Sequence, residues 1–232
     1  MVEIKGLEKF APKDFPGHIS STVFLAGCNF RCPYCHNAEL VVRPETLTGI
    51  PMDFFLAYLD SRKGWLEGVC VTGGEPLLEP ELEDLLTVLK ARDLLVKLDT
   101  NGTFPERLEG MIRAGLVDSV AMDVKAPVER YAAVTRSKVN TETIERSVQV
   151  LRDSRLSSMF RTTVVPGLVG DDDVLRIARW LSGSPVFQVQ QFSPLRTLDP
   201  EFAKITPYKP EEIRRMAEIA GPYFGEVRIE GI

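Results

Sequence analysis

Hydrophobic and polar positions along the chain follow two alternating patterns. Short apolar runs, each ended by polar or glycine-rich residues, predict buried strands. Longer stretches with apolar residues at i, i+3, i+4 and i+7 predict helices that bury one face. The clearest helix is Glu81–Arg92, whose four leucines recur at that spacing. The chain therefore reads as strands and helices in alternation.

Six strand-helix units account for most of the sequence. The predicted strands are Ser20–Ala26, Gly68–Thr72, Leu94–Leu98, Ser119–Val124, Met159–Val165 and Phe187–Phe192. The predicted helices are Met52–Trp65, Glu81–Arg92, Pro105–Ala114, Thr141–Arg152, Asp171–Leu181 and Pro210–Ala220, with a further short strand at Glu226–Ile229. Strict alternation favours a parallel sheet with right-handed crossovers. Because a full eight-unit barrel typically needs about 250 residues, we predict an α/β fold with a partial (β/α)6 barrel.

Composition and charge narrow the possible partners. With 232 residues, of which 44% are hydrophobic, and with no low-complexity linker, we expect one domain over residues 1–232. The net charge of -5 provides no basic face for nucleic acid. No apolar run approaches the roughly 18 residues of a membrane span. We therefore expect a cytoplasmic protein with neither nucleic acid nor membrane as partner.

Three of the four cysteines fall within eight residues, at Cys28, Cys32 and Cys35. Thiolate is a ligand soft enough to hold an iron-sulfur cluster, and one loop with this spacing can supply three of them. A four-iron cluster bound by three protein thiolates leaves one iron open to a ligand that is not protein. This pattern indicates a cluster that does chemistry rather than only electron transfer.

Zinc and disulfide bonding are the alternatives for these cysteines. His36 could complete a set of three cysteines and one histidine, but its adjacency to Cys35 strains a tetrahedral site. The second Cys or His pair that zinc modules usually carry is absent. A disulfide would leave an odd thiol in the cluster. Cys70 lies in an apolar strand and is interpreted as a small core residue.

Polar or glycine-rich clusters follow several predicted strands, where parallel α/β folds collect their chemistry. Gly73-Gly74-Glu75-Pro76 exposes backbone that a small ligand could approach closely, although a tight β-α turn would look the same. Asp99-Thr100-Asn101-Gly102 offers a carboxylate, a hydroxyl and an amide for ribose hydroxyls or a cation. The alternative for this second cluster is an Asx-type turn.

Charged residues also occur inside apolar strands. Asp123 and Lys125 point to the same side of their strand, so they either pair with each other or bind a zwitterionic ligand. Arg161 lies in another apolar strand. Gln188 and Gln190, or Gln191 in the opposite register, repeat the pattern. Polar residues on several strands predict a lined cavity.

Two motifs together resemble the radical S-adenosylmethionine superfamily. They are Cys28-Asn29-Phe30-Arg31-Cys32-Pro33-Tyr34-Cys35 and the Gly-Gly-Glu-Pro turn. Asp14-Phe15-Pro16-Gly17 and the continuation Cys35-His36-Asn37 resemble the activating enzymes of glycyl radical enzymes, in particular those of anaerobic ribonucleoside-triphosphate reductase. These activases usually have glycine where this chain has Phe15, and many carry extra clusters for which this chain has no cysteines.

The resemblance implies that Cys28, Cys32 and Cys35 hold a [4Fe-4S] cluster whose fourth iron binds S-adenosylmethionine. The remaining matched residues would bind that cofactor: Tyr34 near the adenine; Asn37; Gly73, Gly74 and Glu75 at the methionine amino group; Asp99, Thr100 and Asn101 at the ribose; Lys125 and Arg161 at the charged end; and Gln190. Asp99, Thr100 and Asn101 could instead hold a monovalent cation together with Asp123.

The implied reaction starts with an electron from flavodoxin or ferredoxin. Cleavage of S-adenosylmethionine then gives a 5′-deoxyadenosyl radical, which takes hydrogen from a glycine of a partner glycyl radical enzyme, here expected to be anaerobic ribonucleotide reductase. Two alternatives stay open. One is a radical S-adenosylmethionine enzyme acting on a small molecule, similar to 7-carboxy-7-deazaguanine synthase. The other is a zinc or electron-transfer binding module.

Overall fold

The computed structural model describes residues 2–232, which form two compact units. The first unit contains the residues up to Asn29 together with Glu39–Thr100 and Glu106–Val120. The second contains Phe30–Ala38, Asn101–Pro105 and Ala121–Ile232. Each unit is assembled from separated segments, so the division does not follow two consecutive domains. The single domain expected from the sequence stays a prediction.

Strands and helices alternate as the hydrophobic pattern predicts. The strands, which are ordered from β1 to β8 in the sheet, are β1 Ile4–Glu8, β2 Ser20–Leu25, β3 Gly68–Gly73, β4 Leu95–Thr100, β5 Ser119–Asp123, β6 Ser157–Val164, β7 Val186–Gln191 and β8 Glu226–Glu230. The α-helices are α1 Ala38–Val42, α2 Met52–Ser61, α3 Leu82–Lys90, α4 Pro105–Arg113, α5 Tyr131–Thr135, α6 Thr141–Asp153, α7 Asp171–Trp180 and α8 Pro210–Ala220.

The first unit is built on β1–β4. Strands β2, β3 and β4 are parallel, and one row across them joins Thr22, Cys70 and Lys97. Strand β1 pairs antiparallel with β2, with an irregular register between Ile4 and Gly6. The sequence pattern did not predict β1, because this irregularity interrupts the alternation of apolar and polar residues that identifies a strand.

The two faces of this part of the sheet differ in polarity. Side chains on a strand alternate between faces, and the residues on one face of β3 and β4 are fully buried valines and a leucine: Val69, Val71, Val96 and Leu98. Helix α3 has its four leucines buried, as predicted for an amphipathic helix. The opposite face carries Thr22, Cys70 and Lys97, all buried. A polar row therefore lies on the face away from the apolar layer.

The second unit is built on β6–β8, which are parallel, together with the end of β5. Arg161 of β6 is in register with Gln188 of β7, and the short strand expected at the C-terminal end is β8. Helices α6, α7 and α8 bury one apolar face each. Phe160, Phe187 and Val189 are buried in the core of this unit.

Helix α2 and strand β4 end at residues other than those expected from the sequence. Helix α2 ends at Ser61 rather than at Trp65, because a turn with Gly64 at φ +82° follows and Trp65 is 76% exposed. Strand β4 continues to Thr100, two residues beyond its predicted end. The charge of Asp99 does not end the strand because Lys97 neutralises it on the same face. Helices α1 and α5 were not predicted.

Within residues 2–232, no helix is both long enough and apolar enough to cross a bilayer.

Candidate functional site

The turn after β3, in the first unit, brings two backbone segments into contact. The N–H of Gly74 donates to the Leu25 carbonyl at 2.9 Å, and the N–H of Glu75 donates to the Gly27 carbonyl at 2.7 Å. A Cβ on Gly74 would lie 1.8 Å from the Gly27 oxygen, and Gly73 has φ +123°. Glycine is therefore required here by the approach of the chain to itself, a reason different from the approach of a ligand.

Glu75 fixes the predicted Gly-Gly-Glu-Pro turn to the end of β4. Its fully buried carboxylate accepts a hydrogen bond from Thr100 Oγ1 at 2.8 Å and one from the Leu77 N–H at 3.1 Å. Arg107 of α4 donates to the Leu77 carbonyl at 2.5 Å and to the Glu79 carbonyl at 2.8 Å. Two of the sequence-predicted clusters, around Glu75 and Thr100, are thus joined within this unit.

Asp99 is bound by a residue that the sequence interpretation missed. The ammonium group of Lys97 forms an ion pair with the Asp99 carboxylate, and Lys97 Nζ lies 3.7 Å from Cys70 Sγ. Cys70 is fully buried, as expected for a core residue. The signal available in the sequence was the spacing, since residues two apart in a strand share a face.

Asn101, the next predicted site residue, is part of the second unit. Its Oδ1 accepts hydrogen bonds from the Thr103 N–H at 3.0 Å and from Thr103 Oγ1 at 2.7 Å. This is the Asx-type turn that was the alternative interpretation of the cluster.

The cysteine segment is divided between the two units. Cys28 lies in the first unit and is half-buried. Cys32 and Cys35 lie in the second, where the Cys35 N–H donates to the Cys32 carbonyl at 3.1 Å. None of the four cysteines is in a disulfide bond. Among residues 2–232 no three His, Cys, Asp or Glu side chains are grouped closely enough to share one metal ion. A four-iron cluster differs from a single ion because each thiolate binds its own iron.

Backbone hydrogen bonds hold the second-unit part of this segment. The Arg31 N–H donates to the Thr135 carbonyl at 2.9 Å, and the Asp199 N–H donates to the Pro33 carbonyl at 2.9 Å. The ring of Phe30 packs edge-to-face on Tyr131, with 6.2 Å between centroids. The loop is thus attached to α5 and to the segment after β7.

Tyr34 places an unsatisfied hydroxyl inside the second unit. The side chain is buried, and its Oη is without a hydrogen-bond partner among residues 2–232. Burial and the neighbouring Cys32 thiolate raise the pKa of this phenol well above its usual value. An unpaired buried hydroxyl is costly, and a bound ligand is one way to supply its partner.

Asn37 contacts the cysteine that it follows closely in sequence. Burial raises the pKa of Cys35, while the backbone N–H of Asn37 and the positive charge of Lys125 lower it. The Cys35 thiol therefore lies within the field of Lys125.

Asp123, Lys125 and Arg161 form one charged group in the second unit. Arg161 Nε donates to Asp123 Oδ1 at 2.8 Å, and Lys125 Nζ donates to Oδ2 at 3.0 Å. Burial alone would raise the pKa of Asp123, but Arg161 and Lys125 together hold it well below its ordinary value. Asp123 and Lys125 pair with each other, which was one of the two alternatives. The other alternative, binding of a zwitterionic ligand, stays compatible with this pairing, because the two cations and one carboxylate leave one positive charge in excess.

Gln190 lies on β7 opposite Thr163 and is half-buried. The neighbouring Gln191 donates through Nε2 to the Tyr208 carbonyl at 2.6 Å. The alternation of side chains along a strand places the two glutamines on opposite faces of β7.

A monovalent cation does not fit the carboxylates predicted to hold it. Within its own unit, Asp99 already carries the ammonium of Lys97. Asp123, in the other unit, already carries Lys125 and Arg161. A cation at either carboxylate would meet a negative charge that a side-chain cation already compensates.

Comparison with known proteins gives a consistent result. Residues 22–181 match the family model described as the Radical SAM superfamily. A Methanocaldococcus jannaschii protein, named provisionally as a glycyl-radical enzyme activating enzyme, is 31% identical over 99% of this chain and 96% of its own length. The pyruvate formate-lyase-activating enzyme of Staphylococcus epidermidis is 27% identical over 77% of this chain and 75% of its own.

A solved structure supports the same fold. Coproporphyrinogen III oxidase from Escherichia coli, described as a radical SAM enzyme, covers 93% of this chain and 55% of its own, with 13% identity and a TM-score of 0.59. The predicted α/β fold class, a partial barrel of the radical S-adenosylmethionine type, is confirmed.

Proposed function

This chain belongs to the radical S-adenosylmethionine superfamily, alongside the glycyl-radical enzyme activating enzymes, and from that premise we propose that it activates a glycyl radical enzyme. It is thus a radical S-adenosylmethionine enzyme. The cofactor, the site residues and the partner are parts of this proposal.

One observation in the second unit carries the proposal. The Cys35 thiol and the Tyr34 phenol both lie within the field of Lys125, which with Arg161 outweighs the charge of Asp123. A positively charged group beside thiols suits a carboxylate-bearing ligand held next to an anionic cluster.

The thiols are the proposed cluster ligands. We assign the [4Fe-4S] cluster to Cys28, Cys32 and Cys35 from their spacing along the chain and from the chemistry of three thiols that form no disulfide bond. When bound, the cluster supplies the electron that converts S-adenosylmethionine to methionine and a 5′-deoxyadenosyl radical, which removes hydrogen from glycine. Flavodoxin or ferredoxin is the proposed source of that electron. The proposed location of the protein is the cytoplasm.

The remaining site residues have binding and positioning roles in the proposal. Lys125 and Arg161 pair with the carboxylate of S-adenosylmethionine, and the Tyr34 hydroxyl and Asn37 contact its adenosine portion. The turn residues Gly73, Gly74 and Glu75 receive the methionine amino group, with Thr100 holding the Glu75 carboxylate in place. The other proposed contacts are Asp99, Asn101, Asp123 and Gln190.

Anaerobic ribonucleotide reductase is the proposed partner. The continuation Cys35-His36-Asn37 resembles its activating proteins and supports this choice. Pyruvate formate-lyase is the second candidate, because a relative 27% identical to this chain is named as its activator.

Anaerobic reconstitution tests the proposal. The protein is loaded with iron and sulfide, reduced, and mixed with S-adenosylmethionine and each candidate partner. We expect 5′-deoxyadenosine together with a glycyl radical signal in electron paramagnetic resonance from ribonucleotide reductase. Absence of 5′-deoxyadenosine would exclude the radical reaction. Formation of 5′-deoxyadenosine without any glycyl radical would instead favour a small-molecule substrate.

Matched variants test the charged group. Lys125→Met should weaken binding of S-adenosylmethionine by about tenfold or more, since a charge-assisted hydrogen bond contributes about 1.5–3 kcal/mol. Lys90→Met removes a lysine that pairs with Asp118 in the first unit and should leave binding unchanged. Equal effects of the two substitutions would contradict the assignment of Lys125.

A further inference from the structure

Lys97 is a fully buried lysine in the middle of the first unit. It lies on β4, in register with Cys70 of β3, and is only 1% exposed. An ammonium group removed from water is costly unless a partner compensates its charge. Lys97 finds that partner two residues along the same strand, in the Asp99 carboxylate.

The same carboxylate is one of those expected to bind a monovalent cation. Asp99 is itself buried, at 9% exposure, and a carboxylate removed from water is costly unless a positive charge lies beside it. The Lys97 ammonium has the charge of Na⁺ or K⁺ and is attached covalently to the strand that carries Asp99. It is therefore present at a high effective concentration whatever the salt.

We propose that the ammonium group of Lys97 takes the place of a bound monovalent cation at Asp99, so that the protein works without Na⁺ or K⁺. The functional part rests on the proposed binding of S-adenosylmethionine. The electrostatic part concerns the chain alone and can be tested before any cofactor is added. In this role Lys97 is a positioning residue whose ammonium group compensates the charge of Asp99 at the end of β4.

The first experiment uses the full chain without cluster or cofactor. Thermal unfolding is recorded in choline chloride, NaCl and KCl at the same ionic strength, about 0.1 M, to keep screening constant. The wild type should unfold at one temperature in all three salts. Lys97→Met removes the ammonium group that pairs with the buried Asp99 carboxylate. Na⁺ or K⁺ should therefore raise the unfolding temperature of this variant by about 3 °C or more relative to choline.

Two further variants control for the loss of a lysine and of a charge pair. Lys90→Met removes the Lys90–Asp118 pair, whose members are both about 30% exposed, and should show no specific response to Na⁺ or K⁺. Lys97→Met combined with Asp99→Asn removes both buried charges and should also lose the response. This double variant provides a folded comparison if Lys97→Met alone folds poorly.

The second experiment uses the reconstituted enzyme. Binding of S-adenosylmethionine by the wild type should change less than twofold among the three salts. Lys97→Met should bind weakly in choline and recover about fivefold or more in Na⁺ or K⁺.

Two results would overturn the inference. One is stabilisation of the wild-type chain by Na⁺ or K⁺ over choline, which would reveal a cation site despite Lys97. The other is a folded Lys97→Met variant that unfolds identically in all three salts. Neither result depends on radical chemistry, so failure of the proposed function would be recognised separately.

Discussion

Arg161 of β6 and Asp123 at the end of β5 form a salt bridge, with Nε 2.8 Å from Oδ1. Lys125 pairs with the other carboxylate oxygen, so the Asp123 side chain binds two cationic side chains. The Asp123 side chain is 27% exposed, between the fully exposed and fully buried cases. Breaking exposed pairs costs about 0–1 kcal/mol and breaking buried ones about 3–5 kcal/mol. An intermediate value of about 2 kcal/mol is therefore expected here.

Asp123→Asn should lower the free energy of unfolding by that amount at neutral pH. Burial opposes ionisation of Asp123, but Arg161 and Lys125 lower its pKa in the folded protein. The unfolded pKa is about 3.9, so the stabilisation is fully present above about pH 5 and declines as pH falls through the folded pKa. Urea unfolding of the apo proteins should show a difference in the free energy of unfolding between wild type and Asp123→Asn. This difference should be constant from pH 8 to 5 and smaller in more acidic buffer.

Asp60→Asn is the control for this prediction. Asp60 pairs with Arg92, but its side chain is 63% exposed, so its loss should cost less than about 1 kcal/mol. If the difference in the free energy of unfolding between Asp123→Asn and wild type grows as pH falls from 8 to 5, the expected direction of the pH dependence is contradicted.

Two cysteine substitutions should separate a cluster ligand from a core residue. Cys32→Ala removes a proposed ligand and should abolish retention of the four-iron cluster after anaerobic reconstitution, measured as bound iron and as visible absorption. Cys70→Ala removes a fully buried thiol of β3 that is outside the motif, so it should retain the iron at a cost of about 1 kcal/mol in stability. Iron loss from both variants, or from neither, would contradict the assignment.

Gly74→Ala should destabilise the apo protein by about 3 kcal/mol, because its Cβ would overlap the Gly27 carbonyl oxygen at 1.8 Å. Gly110→Ala is the same change in helix α4, where no atom lies within 4 Å of the added Cβ. It should stabilise by about 0.5–1 kcal/mol through helix propensity. Urea unfolding checks both, and a destabilisation of similar size at the two positions would contradict the steric argument.

Tyr34→Phe should leave the apo protein at least as stable as wild type. It removes a buried hydroxyl without a hydrogen-bond partner among residues 2–232, so a gain of about 0.5–1 kcal/mol is expected. Tyr58→Phe is the matched change, but the Tyr58 hydroxyl hydrogen-bonds to the Lys9 carbonyl at 2.8 Å and to Ser21 Oγ at 2.7 Å. It should cost about 1 kcal/mol.

The same Tyr34 variant also separates stability from binding. If the hydroxyl contacts S-adenosylmethionine as proposed, Tyr34→Phe should bind the cofactor more weakly while its apo form is more stable. Calorimetric titration of the reconstituted protein measures the affinity. A less stable apo protein with unchanged affinity would contradict both parts.

The sequence predicted the succession of strands and helices because buried positions carry apolar residues at regular spacing, as in the leucines of α3. The cysteine motif was equally visible, since its information lies in spacing. Strand β1 was missed because its irregular pairing with β2 interrupts the alternation. The steric role of Gly74 was also hidden, because the sequence does not specify the distance between Gly74 and Gly27.

The pairing of Lys97 with Asp99 shows a second kind of limit. A lone lysine within an apolar strand suggests a solvent-facing position, whereas the structure buries it on the polar face of β4. The partner two residues away offsets the free-energy cost of that burial, and pairing between neighbours on one face is suggested but not fixed by sequence.

Arg136 and Asp199 should control the rigidity of the cysteine segment in the second unit. Asp199 accepts a hydrogen bond from Arg136 at 2.6 Å and from the Glu201 N–H at 3.0 Å, while its own N–H donates to the Pro33 carbonyl. Asp199→Ala removes the side-chain contacts that orient this N–H. Amide hydrogen exchange of residues 30–38 should then accelerate by about tenfold, because local opening becomes easier.

The pair between Glu129 and Arg176 supplies the control, since it joins two exposed side chains that are both outside residues 30–38. Glu129→Ala should leave exchange of residues 30–38 unchanged. Asp199→Asn should be intermediate, because an amide oxygen can still accept from the Glu201 N–H but loses the charge opposite Arg136. If exchange in Asp199→Ala equals that of wild type, the backbone hydrogen bonds of Pro33 and Arg31 alone are sufficient to hold the segment.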